Sequence, residues 1–543
     1  MNRVTSMHPE GFAESIGALV LPEIPKILTL LDRTAVSPTY GCFDRTYWHY
    51  RMIDFPCGMS QEFVLPLALV WSMQQLPENP YYASAEIREL IVAGMRFAAR
   101  SSHPDGSCDD YYPFERAAGA AAFSLFAILR SAEILALPPE PELDNFMMRR
   151  ARWLAEHVES GRLSNHEALI VACLESAERR FPGQGFDAFM HQRLKRLLSW
   201  QDTEGWFDEY GGADLGYLSL TIGLLADLDR RRPDLALRQP LAAAINFLAH
   251  FVHPDGTVGG EYSSRSTLNF FPFGFEIAAS WSPMAQAIRQ QVKRPLIEQR
   301  TPCYSDDRII GHHLWAWLLT LENDCLDRCE AAPLPSGEMW FPACQLFVDR
   351  QGENMMVAAL GRGGVYKYFS GGQLAVSDTG VTLRRKSDGK TAVTHLGGAA
   401  AVVAEGSVVT SGPMTFAKSA LLTPFKNVIL RLLMISLGRF FPDLVRRSLQ
   451  KLLVTGKNEA PYRFERRFER SKSGWTVYDT IASDAGWSDV DLVGISGHQT
   501  SITTIMARVY QKDQLVPFIS LNDALAGLGP NNPLTFERRM DAK

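Results

Sequence analysis

The chain is predicted to be a multidomain α+β protein, with stacked helical hairpins first, an antiparallel β domain after them, and a helical insertion within the β part. Three observations predict this. Alanine–leucine runs with apolar residues at helical spacing recur through residues 1–330, as in Ala117–Leu137, Glu167–Arg179, Leu218–Leu228 and Leu241–Phe251. Similar glycine-bearing loops separate them at intervals of about fifty residues. From Gly337 onward the texture changes to short alternating stretches punctuated by glycine pairs.

The loops justify the helical part. His103-Pro-Asp-Gly106 and His253-Pro-Asp-Gly256 are identical tetrapeptides 150 positions apart. Trp200–Gly205 (WQDTEG) lies between them, and Gly161 falls in a similar slot. A fixed period marks a repeat architecture, and about fifty residues hold two helices and two loops. Such hairpins stack into an open solenoid or a closed α/α toroid, with loops of one type gathered on one face.

Ala331–Gly337 is read as the linker to a second domain, residues 331–543. Strands are expected at Gln345–Asp349, Asn354–Leu360, Val365–Phe369, Leu374–Ser377, Ala399–Val409, Arg463–Glu469, Trp475–Ile481 and Ser501–Gln511. Alternation of this kind predicts an antiparallel β-sandwich. Residues 413–457 interrupt it as a helical insertion. Within them, Ser419–Val454 is apolar and basic with almost no acid, and Lys426, Arg431 and Arg439 break it too often for a spanning helix. It suits either an amphipathic hairpin making peripheral contact with a membrane surface or a cover over the protein's own core.

Composition narrows the function. Hydrophobic residues make up 46% and charged residues 21% of 543, ordinary for a globular protein. A net charge of −5 offers no basic face for a nucleic acid. Eight cysteines are too few for a disulfide scaffold, and Cys325 and Cys329 have no second Cys/His pair to complete a metal site. The N-terminus lacks the order of a secretory signal, so the expected place is the cytoplasm, peripheral at the inner membrane surface if the insertion binds there. Asp105–Asp110 and Gln201…Trp206 imitate terpene-cyclase motifs, but the full Asp-x-Asp-Asp signature is missing. The adjacent His312-His313 has no partner and is read as structural.

The chemistry-bearing stretch runs from Leu163 to Tyr217. Asn165 and His166 open a helix, and one repeat later a Gly-Trp-Phe turn carries Glu209, Tyr210 and Tyr217. If the loops share a face, these groups converge. The last repeat adds Glu261, Tyr262 and Arg265, a carboxylate, a phenol and a guanidinium within five residues. Arg265 suits a carboxylate ligand, or it pairs internally with Glu261. Trp48 and His49, in a stretch dense in rings and charges, are candidates for stacking on sugars.

This stretch resembles the helical domain of the heparinase II/III-like polysaccharide lyases. That family pairs an α/α toroid with a C-terminal β-sandwich and cleaves uronic-acid polymers by β-elimination. The resemblance therefore implies the toroid rather than the solenoid. It matches Asn165 and His166 to the family's Asn-His pair, Glu209 to its acid, and Tyr217 to its catalytic tyrosine. It implies a C5 proton abstraction with Asn165 and His166 neutralising the sugar carboxylate and Tyr217 moving the proton. Glu209, Tyr210, Tyr262, Arg265, Trp48 and His49 would bind the substrate, an acidic polysaccharide or oligosaccharide. This chain has Leu218 where the family often has His, and Gly364–Gly380 lacks the family's metal-associated histidine pair, so no cofactor is expected. A uronyl C5-epimerase would use the same enolate, and a non-catalytic polysaccharide-binding or assembly protein would use the same scaffold.

Overall fold

The computed structural model describes residues 9–298, 300–304, 310–324, 327–417, 423–441, 444–445, 458–472, 474–497, 509–510, 515 and 518–541. Six helices form an inner ring: Val64–Ser72, Ala118–Ile134, Ser164–Arg180, Leu215–Arg231, Phe273–Ala278 and Ile310–Glu322. Each packs on the next, and the last packs on the first, so the ring closes. The stack of hairpins is a toroid. Ala118–Ile134 is buried along nearly its whole length, as a helix apolar all round must be. The helices between them in sequence, such as Ala85–Ser101, Pro141–Glu156 and Phe186–Leu198, form the outer layer and bury one face.

The repeated loops are one turn used again. Gly106 and Gly256 both have positive φ (+91° and +85°), and each donates its N–H to the carbonyl of the histidine three residues before it. A Cβ on Gly106 would lie 2.5 Å from the Arg150 nitrogen, and one on Gly256 would lie 2.5 Å from the Gln291 oxygen. Glycine is required because each turn closes directly onto the backbone of the next outer helix. These turns lead from an outer helix into an inner one, so they share one end of the ring.

The β domain is a sandwich. Gly337–Phe341, Leu346–Gln351, Asn354–Ala359, Val365–Ser370 and Gln373–Asp378 form a five-stranded antiparallel meander. A nine-stranded sheet includes Val381–Arg385, Ser407–Phe416, Glu459–Ser471, Gly474–Ser483 and Leu534–Asp541. The meander is buried on both faces. Phe347, Met356, Tyr366 and Tyr368 pack against Val408, Phe468, Trp475 and Met540 of the larger sheet. Their alternates Val348, Met355, Val357, Val365 and Phe369 join the toroid's own core. Period-two alternation thus serves two apolar partners, and the site end of the ring is roofed by a sheet.

Some expected boundaries shift. Ala400–Ala404 and Ser407–Phe416 are two strands, not one, turning at Glu405-Gly406. Pro413 lies inside a strand, and the insertion's helix starts at Pro424. Of the strand expected at 501–511 only Val509–Tyr510 is described, and Cys325 lies outside the described residues.

Candidate active site

Glu209 is the hub of the site. It is 1% exposed. One carboxylate oxygen accepts from the Ser164 hydroxyl (3.0 Å) and the Asn165 N–H (3.3 Å). The helix Ser164–Arg180 has no side-chain cap of its own, because Leu163 precedes it. Glu209, from the next repeat, supplies that cap and places negative charge at the helix's positive end. The other oxygen pairs with Arg265 at 3.3 Å. Three loops separated by about fifty residues each therefore meet at one carboxylate.

Arg265 is held from two more directions. Its backbone N–H donates to Asp214 (3.0 Å), whose other oxygen caps the helix Leu215–Arg231 through the Tyr217 N–H (3.0 Å). Its guanidinium carbon lies 4.3 Å from the Tyr210 ring centroid and 5.1 Å from that of Tyr217. Burial pushes the Tyr217 phenol up to about 12; Arg265 pulls it down, while Asp214 and Glu209 add to the rise. The free protein thus keeps this phenol protonated at neutral pH. Burial also raises the Asp214 carboxyl.

Two polar groups here are buried without a hydrogen-bond partner among the described residues. They are the whole side-chain amide of Asn165, a residue 0% exposed, and the Nε of Arg265. Such atoms are costly to bury, and others occur elsewhere among the described residues, as at Gln61 and Asn269; here they lie beside the Glu209–Arg265 pair. His166 turns away to Glu159, 2.8 Å from its Nδ1, with its ring against Gly119.

The structure joins Asn165, Glu209, Tyr210, Tyr217 and Arg265 into one constellation. The pairing of Arg265 with Glu261 does not occur: Arg265 takes Glu209, and Glu261 pairs with Lys367 at 2.9 Å. Tyr262 does not join the group. It is buried, and its hydroxyl serves His253 Nε2 (2.8 Å) and the Gly259 N–H (3.2 Å). Trp48 and His49 stand on another loop. Trp48 donates to the Leu30 carbonyl at 2.7 Å, and the loop is tied to Asp109 through Gly58. His312 is a core residue paired with Glu62 at 3.0 Å.

The sandwich contributes residues that the sequence did not single out. Arg362, in the turn after Asn354–Ala359, donates to the Ser263 carbonyl and to the Ser266 hydroxyl (3.2 Å), on either side of Arg265. Thr394 backs onto that turn at Gly363. Its neighbour His395 is buried with both ring nitrogens unpartnered among the described residues. Burial, with Arg362 nearby, lowers His395 to about 3, so the ring is neutral. Nothing in their local sequence marks either residue; only the docking of the sheet on the ring makes them neighbours of the site. Asp378, in the stretch compared with the family's metal region, is engaged by Arg466 and Arg538. Among the described residues no three His, Cys, Asp or Glu side chains gather as a metal site would need.

No protein-family model matches the chain, and no curated protein matches it. Solved structures do. A chondroitin AC lyase from Streptomyces coelicolor A3, in complex with chondroitin sulphate, superposes with a TM-score of 0.52 at 11% identity, covering 91% of this chain and 69% of the lyase. A Paenibacillus xanthan lyase gives a TM-score of 0.52 at 11% identity, covering 90% of this chain and 47% of that one. The chain spans about half the length of the xanthan lyase. The fold is therefore that of the polysaccharide lyases, a helical toroid joined to antiparallel sheets.

Proposed function

We propose that the chain is a carbon–oxygen lyase acting on a uronic-acid-containing polysaccharide, by C5 proton abstraction and β-elimination. One observation carries this reading: Asn165, whose backbone N–H is tied through Glu209 to the Arg265–Tyr217 pair, keeps a buried side-chain amide without a partner among the described residues. The C5 proton of a uronate is weakly acidic because the adjacent carboxylate repels further charge. The Asn165 amide and the Arg265 Nε–H are donors that can take that carboxylate. Their hydrogen bonds strengthen as the enolate forms, which lowers the barrier.

Tyr217 moves the proton. Its phenolate takes the C5 proton, and the C5–H electron pair passes into the enolate. The enolate then forms the C4–C5 double bond as the C4–O bond breaks, and the phenol returns its proton to the departing oxygen. The phenolate is regenerated. Arg265 beside the ring stabilises that phenolate, whereas burial opposes it, so little of it exists at neutral pH. On this reading log kcat/KM rises with unit slope from neutral toward alkaline pH. The exposed Tyr210, whose ring lies on Arg265, completes the substrate contacts.

The test is incubation of the purified chain with a panel of uronate polymers. Ultraviolet absorbance of the unsaturated product and solvent deuterium at C5 are followed together. Absorbance on one polymer, lost in Tyr217→Phe, is expected. Deuterium without absorbance assigns the epimerase instead. Neither signal on any polymer leaves a binding protein.

A further inference from the structure

The insertion's helix lies on the protein with an apolar face turned outward. The helix Pro424–Leu433 continues through a wider turn, Met434–Gly438. Met434 and Gly438 are its buried positions. Phe425, Val428, Ile429, Leu432 and Ile435 are exposed, at the spacing of one helical stripe. Leu437, Phe440, Phe441 and Leu444 extend it; Phe425 is 74% exposed and Phe440 is 70%. Single exposed apolar side chains are ordinary, but nine on one short segment are not.

Two contacts pin this segment to the toroid. Arg431 pairs with Asp54 at 2.6 Å and lies 5.8 Å from the Phe55 ring centroid. Arg439 lies 5.7 Å from the Phe114 ring centroid. The loops it touches are themselves apolar at their tips, with Met52 (75% exposed), Tyr50 and Tyr111 in solvent. The outward face is therefore built from three segments.

Charge decides the occupant. Between Ser419 and Val454 the sequence has Lys426, Arg431, Arg439, Arg446, Arg447 and Lys451 against a single acid, Asp443, in a chain of net charge −5. On a helical wheel Lys426 and Arg431 flank the apolar stripe on its two sides. Cations flanking an exposed apolar stripe fit a surface that is apolar beneath anionic headgroups. A protein groove would not need this local excess of positive charge. Among the described residues no helix is long and apolar enough to cross a bilayer, so contact would be in the interfacial plane. We infer that residues 423–441, with the loop tips at Tyr50, Met52 and Tyr111, form a docking surface for an anionic lipid bilayer.

The test is flotation of the full chain with vesicles of phosphatidylcholine alone or mixed with phosphatidylglycerol. The wild type floats with the anionic vesicles, and far less with the neutral ones or in high salt. Leu432→Glu with Phe440→Glu lowers the floating fraction on the order of tenfold or more, because acid replaces inserted apolar groups. Lys426→Glu gives a smaller loss. Both apolar positions are exposed, so circular dichroism, thermal midpoint and turnover of a soluble polymer stay unchanged. Failure to float with any vesicle overturns the inference, and so does equal flotation of the double variant. A wild-type dimer in light scattering that the double variant converts to monomer also overturns it, by assigning the face to a second copy of the chain. Loss of flotation with intact turnover, or the reverse, separates this inference from the lyase reading.

Discussion

Two buried ionic clusters, one in the ring and one in the sandwich, are built from the same residue types and differ in what they leave unpaired. In the sandwich, Arg466 reaches Asp378 (3.0 Å), Asp479 (2.6 Å) and the Gly364 carbonyl (2.9 Å). Arg538 reaches both carboxylates from the other side. Every carboxylate oxygen of Asp378 and Asp479 has a donor, and the atoms left without a partner among the described residues are the Arg538 Nε and the hydroxyl of Tyr366, whose ring lies against Arg466. Despite burial, the two guanidiniums hold Asp378 below the usual carboxylate range. In the ring, Glu209 is equally engaged, but beside it the Asn165 amide and the Arg265 Nε have no partner among the described residues. Both clusters satisfy their carboxylates and each leaves an arginine Nε over; the ring cluster differs in leaving a whole side-chain amide, Asn165, where the proposed substrate would bind.

That contrast can be broken by substitution. The largest effect is expected from Asp378→Ala, which leaves the buried Arg466 and Arg538 sharing the single carboxylate of Asp479 and costs about 3–5 kcal/mol of stability, measured by denaturant unfolding. The sign with pH follows from the lowered folded-state pKa. The wild type carries this stabilisation above the unfolded carboxylate value near 3.9 and loses it as pH falls below, so its advantage over the variant shrinks on acidification. Tyr217→Phe should lower kcat about a thousandfold, roughly 4 kcal/mol in activation free energy, while unfolding changes by about 1 kcal/mol or less.

Asn165→Ala sharpens the comparison most, because its two readouts should separate. Turnover should fall about a hundredfold. Stability should hold or rise, since the substitution removes a buried amide with no partner rather than breaking a bond. A variant that lost stability as Asp378→Ala does would make Asn165 scaffold. The smallest effect belongs to Tyr262→Phe, which removes one buried hydroxyl from His253 and Gly259. It should cost about 1 kcal/mol in unfolding and leave kcat unchanged. A large loss of kcat there would return Tyr262 to the substrate contacts.

Much of the architecture was legible because it is written in local pattern. Helical periodicity, the glycine turns at Gly106 and Gly256 and the alternation of Leu346–Ser370 each constrain a few neighbouring residues, and each appears where it was read. The site was legible in part. Asn165, Glu209 and Tyr217, singled out by the repeat and the family resemblance, come together at one end of the ring, whereas His166 pairs with Glu159. One of the two partners left open for Arg265 does not occur: Glu261 is four residues away and Glu209 is fifty-six, yet the nearer acid is drawn to Lys367 in the sheet. Tyr262 was misread because a phenol in a loop looks accessible until the sandwich closes over it.

The amino-acid order by itself determined stacked helical hairpins, a strand-rich second half and the residue types available for proton transfer, because short-range spacing and backbone preference carry that information. Only the folded chain decided that one carboxylate joins three loops, that Arg362 reaches the loop of Arg265 from the sheet, and that the insertion turns its apolar stripe to solvent. Those outcomes depend on contacts between residues tens to hundreds of positions apart, and such contacts are fixed by how whole layers pack rather than by any local pattern.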